Sequence, residues 1–191
     1  YASKTSFTAI KSDGSTVVWG EHLDVMPPSY LSGYQEIVAT NTAFAALKAD
    51  GTVVAWGHQT LGGDASEKQE DLVDVIDIVA GPIGSFAALK ADGSVVWWGR
   101  DTVFETTDAI KDKLSNGVVS LTPTDYAWAA LKGDGSVVAW GDTDDNGPGD
   151  TSQVSAYLSS GVVSVSSNQY AFAALKNDGS VITWGIDWSG G

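Results

Sequence analysis

The 191-residue chain has no cysteine, one methionine, two histidines and only ten lysines and arginines. Without thiols there are no disulfides and no thiolate metal sites, and both oxidising and reducing compartments stay open. Twenty-four acids face the ten bases, for a formal charge of −14. That balance disfavours nucleic acid and anionic membrane surfaces, because holding phosphates requires clustered Lys and Arg. Half of the bases, Lys11, Lys48, Lys90, Lys132 and Lys176, form an even rank along the chain rather than a patch. No apolar run approaches the ~18 residues of a spanning helix, which predicts a soluble chain without direct membrane insertion. At 43% hydrophobic and 18% charged residues the composition is that of a globular protein, and one domain over 1–191 is expected.

What the chain has is a phrase written five times: FTAIKSDGSTVVWG from Phe7, FAALKADGTVVAWG from Phe44, FAALKADGSVVWWG from Phe86, WAALKGDGSVVAWG from Trp128 and FAALKNDGSVITWG from Phe172. Starts 37, 42, 42 and 44 residues apart fall in the range of propellers and solenoids, in which identical units stack. In each phrase an Asp-Gly pair separates two β-prone runs, the signature of a hairpin. Val-rich runs at Ile37 to Thr40, Ile78 to Ala80, Val118 to Leu121 and Val162 to Val165 predict a third strand. Capping residues before apolar positions predict short helices over Ser66 to Val73, Thr107 to Leu114 and Asp150 to Ser159. The expected units lie near 1–36, 37–77, 78–117, 118–161 and 162–191. Their strands are apolar at nearly every position, so neighbouring units must cover both faces of each sheet. The repeated Trp19, Trp56, Trp98, Trp140 and Trp184 are read as core residues.

The order Val-x-x-Val, aromatic, Ala-Leu-Lys, Asp-Gly, two β-branched residues and Trp-Gly resembles the repeat of the regulator of chromosome condensation family, here as a short acidic variant. The resemblance covers the five units from Phe7 to Gly185 and implies β-propeller blades, whether in a closed five-unit ring or an open arc. The family's best-known member exchanges nucleotide on a small nuclear GTPase and docks on chromatin, and many relatives are interaction modules. Where the family follows Trp-Gly with a Gly-Gln-Leu-Gly turn, this chain has GHQTLGGDAS, GRDTVFETTD and GDTDDNGPGD. That departure weakens the carry-over of exchange activity.

Asp142, Asp144 and Asn146 before Gly147 reproduce the first half of a calcium loop, but Gln153 stands where a bidentate Glu would close it. Calcium is the one cofactor considered. His22 and His58 follow Trp-Gly in the first two units, with no partner spacing that marks catalysis, and read as loop residues. Trp97 and Trp188 are the tryptophans left for stacking on a sugar. The Gly-rich GGDAS and GPGD stretches precede no P-loop lysine. The divergent segment EHLDVMPPSYLSGYQ replaces a capped helix with Met26, Pro27, Tyr30, Leu31 and Tyr34, which together with Phe104 are the candidate partner-binding residues. The expectation is a non-catalytic structural or interaction protein, a scaffold or a subunit of a larger assembly whose partners are other proteins. A lectin-like propeller and a guanine nucleotide exchange module are the alternatives. The chain starts at Tyr1, without methionine, which fits processing of a leader and export or an organelle lumen as well as truncation; the compartment stays open.

Overall fold

The computed structural model describes residues 1–100, 106–144 and 147–191. Among them, fourteen strands form one two-stranded and four three-stranded antiparallel sheets. The first sheet pairs β1 (Ser6–Ile10) with β2 (Thr16–Gly20). The second holds β3 (Tyr34–Ala39), β4 (Ala43–Lys48) and β5 (Val53–Gly57), and the third β6 (Val75–Gly81), β7 (Ser85–Lys90) and β8 (Val95–Gly99). The fourth is β9 (Val118–Pro123), β10 (Ala127–Lys132) and β11 (Val137–Gly141), and the fifth β12 (Val162–Ser167), β13 (Ala171–Lys176) and β14 (Val181–Gly185). In each three-stranded sheet the repeated hairpin's first strand is central. The chain divides into two compact units, Tyr1–Ala91 with Val96–Arg100, and Asp92–Val95 with Asp101–Gly191.

The hairpins form where the Asp-Gly pairs predict them. Gly51 N–H donates to Lys48 O at 2.9 Å and Gly51 lies at φ +77, so the turn is Lys-x-Asp-Gly with glycine in the left-handed region. The Asp50 carboxylate accepts hydrogen bonds from both the backbone N–H and the hydroxyl of Thr52, at 3.0 and 2.6 Å. The same double bond joins Asp13 to Ser15, Asp92 to Ser94, Asp134 to Ser136 and Asp178 to Ser180. Opposite the turn, each hairpin ends in a cross-strand aromatic pair: Phe7–Trp19, Phe44–Trp56, Phe86–Trp98, Trp128–Trp140 and Phe172–Trp184 all stack within 20° of parallel.

Each sheet has two faces with different residues. The aromatic face of the second sheet carries Phe44, Ala46 and Trp56 and packs with Ile10 and Val18 of the first. Its other face carries Ala43, Ala45, Leu47 and Val53 and packs against Phe86, Ala88 and Trp98 of the third. In the second unit, Ala127, Ala129 and Leu131 meet Phe172, Ala174 and Trp184 in the same way. Within each unit, the face of one sheet opposite its own aromatic pair covers the aromatic face of the next. Burial on both faces therefore holds for sheets with neighbours but not everywhere. Phe44 and Trp56 are 0% exposed, whereas Phe7 and Trp19 are 48% and 51% exposed.

The connectors depart from the expected helices. Thr107 accepts a hydrogen bond from Ile110 N–H as the N-cap of α1 (Asp108–Lys113), the one α-helix among the described residues. Ser66–Lys68 and Tyr157–Ser159 are single 3-10 turns. The connectors bury Leu31, Leu72, Leu114 and Leu158 in turn, joined by Ala65 in the second and Pro148 in the fourth, too few and too unevenly spaced to make the apolar stripe of a longer helix. The third strands start earlier or run longer than their Val-rich cores. Each opens with a register shift that turns Gln35, Ile76, Val119 and Val163 outward.

Successive repeats are also sewn together through the hairpin tips. Gly14, Gly51, Gly93 and Gly135 carbonyls accept the N–H of Leu31, Val75, Val118 and Val162, at 2.9 to 3.0 Å. Lys132 and Lys176 of the evenly spaced rank donate to Lys113 O and Tyr157 O at 2.8 and 2.6 Å, closing the carbonyl ends of the preceding connectors. Lys132 and Lys176 are thus structural ties.

Candidate functional site

The divergent segment of the first repeat is pinned by its backbone. Leu31 N–H donates to Gly14 O, Thr16 N–H to Ser29 O at 3.1 Å, and Val25 exchanges two hydrogen bonds with Gly57 at 2.8 and 2.9 Å. The Tyr30 ring covers Gly14, where even a Cβ would collide with it. So anchored, the segment holds Met26 and the outer part of Tyr30 in solvent, with Pro27 half-buried between them. Leu31 is different: it is buried among Ile37, Phe44 and Trp56 and offers no surface. Its place in the connector is that of Leu72, Leu114 and Leu158. Tyr34 is half-buried and meets Tyr1 edge to face at 6.4 Å. Phe104 lies outside the described residues.

His22 and His58 come together, with ring centroids 5.3 Å apart. His58 Nδ1 lies 3.7 Å from the Asp24 carboxylate, which also accepts the Gln59 N–H at 3.3 Å. His22 occupies the left-handed region at φ 57. The pair sits where the first segment crosses the end of the second hairpin, a meeting across 36 residues of chain that no residue spacing signals.

Asp142 Oδ1 accepts the Asp144 N–H at 3.0 Å, and the Asp142 and Asp144 carbonyls accept from Gly149 and Gly147 at 2.7 Å. These bonds make a compact polar turn, and Asn146 lies outside the described residues. Among the described residues no group of three or more His, Asp or Glu is spaced to hold a metal ion.

In the second unit an aromatic ladder appears that spacing alone does not reveal. Tyr126 stacks on Tyr170 at 5.8 Å and 15°, and Tyr170 meets Trp188 at 5.0 Å and 56°. Trp188 is 75% exposed. Beside it Asn168 Nδ2 donates to Ser189 O at 2.8 Å, and elsewhere in the unit Gln169 Nε2 donates to the Asp125 carboxylate at 2.5 Å. Trp97, the other sugar candidate, is half-buried in β8. The signal for the ladder was Tyr126 and Tyr170, which hold the same repeat position just before the hairpin.

Hydrogen bonding perturbs several carboxylates. The Ser or Thr hydroxyl and then its N–H hold Asp13, Asp50, Asp134 and Asp178 below the ordinary carboxylate range. Asp64 is lowered first by the Ser66 N–H. Glu36 moves the other way, raised by burial and by the nearby Asp77. The lowered groups belong to turns. No helix among the described residues is long and apolar enough to cross a membrane.

No family model matches the chain, and no curated protein sequence does. Solved structures do. The CRINKLY WD40 ectodomain of the Arabidopsis thaliana receptor kinase ACR4 matches with TM-score 0.59 and 14% identity, over 97% of this chain and 63% of that one. Yeast RCC1 (Prp20), in a complex with Kap60, matches with TM-score 0.59 and 16% identity, over 97% of this chain and 55% of that one. Human WBSCR16 matches with TM-score 0.59 and 17% identity, over 97% and 61%. The chain thus spans less than two thirds of the length of these structures. At such identities the likeness is one of fold, and the fold is a mainly-β array of propeller blades like those of the regulator of chromosome condensation.

Proposed function

We propose that this protein is a non-catalytic interaction module, a scaffold or subunit of a larger assembly that docks other proteins through the surface of its first repeat. The observation that carries the reading is the rigid display of Met26 and Tyr30. Both are exposed, yet the backbone on either side is hydrogen-bonded to the first and second hairpins. An apolar surface held in one conformation binds at low ordering cost. The fold supports the reading as well: yeast RCC1 is recorded with Kap60, and Prp20p in connection with binding to Gsp1p and histones. Those partners belong to those proteins. A net charge of −14 argues for a protein partner rather than nucleic acid here. The test is cross-linking and native purification of the wild type beside a Met26→Asp/Tyr30→Asp variant with unchanged melting. A protein that co-purifies with the wild type and is lost from the variant supports the reading. Equal recovery from both, or a turnover abolished by His58→Ala, sinks it.

Sugar binding is the second reading, and the exposed Trp188 at the end of the Tyr126–Tyr170 ladder favours it. An exposed aromatic face is what a pyranose ring stacks on. A glycan array that shows saturable binding, lost in Trp188→Ala, would establish it; an array without saturation by any sugar would remove it. Release of a labelled guanine nucleotide from a small GTPase tests the exchange alternative.

A further inference from the structure

In the three-stranded sheets the hairpin's second strand lies at an edge, and these edges differ in what occupies them. An edge strand presents unpaired N–H and C=O groups to whatever lies beside it. Lys48 N–H donates to Thr52 O and Lys132 N–H to Ser136 O, both at 2.9 Å. Bonds alternate along an antiparallel pair, so the next residues, Val53 and Val137, turn their backbone groups outward, as do Ala55 and Ala139. The edge of β5 is occupied: Gln69 Nε2 donates to Val53 O at 3.3 Å, and Gly57 exchanges two hydrogen bonds with Val25 as an antiparallel bridge. On β8 the connector takes the edge, Val95 N–H donating to Leu114 O at 3.0 Å. Val137 holds the position of Val95, and Leu158 that of Leu114, yet no such bond joins them. Among the described residues no backbone group bonds to the outward side of Val137 or Ala139. A groove of about 350 Å³ lies there instead, lined by Ile110 and Lys113 of α1, Lys132 of β10, Val137 and Ala139 of β11, and Leu158. Every described residue that lines it belongs to the second unit, between positions 110 and 159.

We propose that this groove binds an extended segment of a partner protein in which acidic and apolar residues alternate, and that the segment adds to β11 as a fourth strand. The antiparallel bridge of Val25 to Gly57 is the same addition made by this chain's own backbone on the second sheet. Main-chain bonds to an open edge give such a complex its affinity, and alternate side chains give it specificity. The side-chain pattern follows from the two faces of the sheet. Val137 and Ala139 pack in one cluster with Leu131 and Leu158. A residue that exchanges backbone bonds with Val137 or Ala139 turns its side chain to that face, so it is apolar. Its neighbours in the segment turn to the opposite face, where Lys132 follows Leu131 and donates to Lys113 O at 2.8 Å. Charge selects the acids. Two lysines line the groove and, among the described residues, no carboxylate does, in a chain of net charge −14. Neither lysine is in an ion pair among the described residues. This surface lies on a different repeat from Met26 and Tyr30, and the two readings stand independently.

A nitrogen-15 NMR titration with the blocked peptide acetyl-Glu-Val-Glu-Val-Glu-amide reads the site directly. The Val137 and Ala139 amide protons should move downfield together, with saturation, and exchange more slowly with solvent. The analogue acetyl-Lys-Val-Lys-Val-Lys-amide should bind about tenfold or more weakly, and so should the acidic peptide N-methylated at both valines, which keeps its charges but loses the donors that face β11. Lys113→Glu should weaken the acidic peptide in the same way. Val137→Pro removes an outward N–H and no ladder bond, at a position where an edge strand tolerates proline, and should lose the peptide while circular dichroism stays that of the wild type. Should that variant not fold, the N-methylated peptide makes the same test on the wild type. Met26→Asp/Tyr30→Asp should bind the probe as the wild type does. No saturation by the acidic peptide, equal binding of the lysine or N-methylated peptide, or saturable shifts confined to other sheets overturns the proposal.

Discussion

Asp134 receives two hydrogen bonds from Ser136, and its carboxyl is held below the ordinary range chiefly by the serine hydroxyl. A hydrogen bond to the charged form favours that form, so removing the hydroxyl should let the pKa climb back. In Ser136→Ala, the Asp134 carboxyl followed by NMR is expected to titrate at higher pH than in the wild type; an unchanged midpoint would show that the hydroxyl is not the cause. The same geometry sets an acid limit for the fold. A carboxylate with a lowered folded pKa contributes stability that is fully present above its unfolded value, ~3.9 for Asp, and lost as pH falls through the folded value. With Asp13, Asp50, Asp64, Asp134 and Asp178 all lowered, the melting temperature should hold level from neutral pH to about 5 and drop below about 4. Glu36, raised by burial, acts in the opposite sense, since acidification relieves its desolvation, but it is one group against five. Melting that improves steadily down to pH 3 would contradict the turn argument. The Asp-Gly pairs were legible in the sequence; the Ser or Thr that follows each of them was equally regular, at 15, 52, 94, 136 and 180, and went unread because it looked like a strand's first residue.

The second, third and fourth hairpin tips serve their own strands and also anchor the first residue of the following β6, β9 or β12. Gly135 lies at φ +79, and a Cβ there would stand 2.8 Å from Gly161 N; Gly179, in the last repeat, lies at φ +85 with nothing within 4 Å. Both glycines avoid the left-handed penalty of about 1–2 kcal/mol, but only Gly135 also makes way for a neighbour. Gly179→Ala should therefore cost about 1 kcal/mol and Gly135→Ala distinctly more, read as the shift in urea midpoint at constant slope. Equal shifts would mean that the tips do not tie the repeats together. Strands were easy to place from sequence because Ala-Leu-Lys and Val-Val-x-Trp recur with fixed register. Connectors were hard because their common element is one buried leucine among unrelated polar residues. Leu31 belongs to that series, at three residues before β3 as Leu72 is before β6, yet its neighbours Met26 and Tyr30 made it look like surface. The His22–His58 contact and the Tyr126–Tyr170–Trp188 ladder were hidden for a different reason: they depend on which loops the stacking brings side by side.

At the scale of the molecule, stability is shared between repeats and is not complete in any one of them. A two- or three-stranded sheet exposes apolar residues on two faces, and the next sheet's aromatic pair is received by Ala43 and Ala45 of the second sheet, by Ala127 and Ala129 of the fourth, and by Ile10 and Val18 of the first. Phe44–Trp56 and Phe7–Trp19 are the same pair chemically, with stacking geometries of 5.6 Å at 13° and 5.4 Å at 14°, and differ in having a neighbour. That difference isolates the contribution of stacking. The direct test is the denaturant midpoint of Trp56→Ala beside Trp19→Ala. Loss of the fully buried Trp56 should remove ~3–5 kcal/mol, and loss of the half-exposed Trp19 a minor part of that. Equal losses, or a Trp56→Ala protein as stable as the wild type, would contradict the account in which each repeat is completed by the one before it.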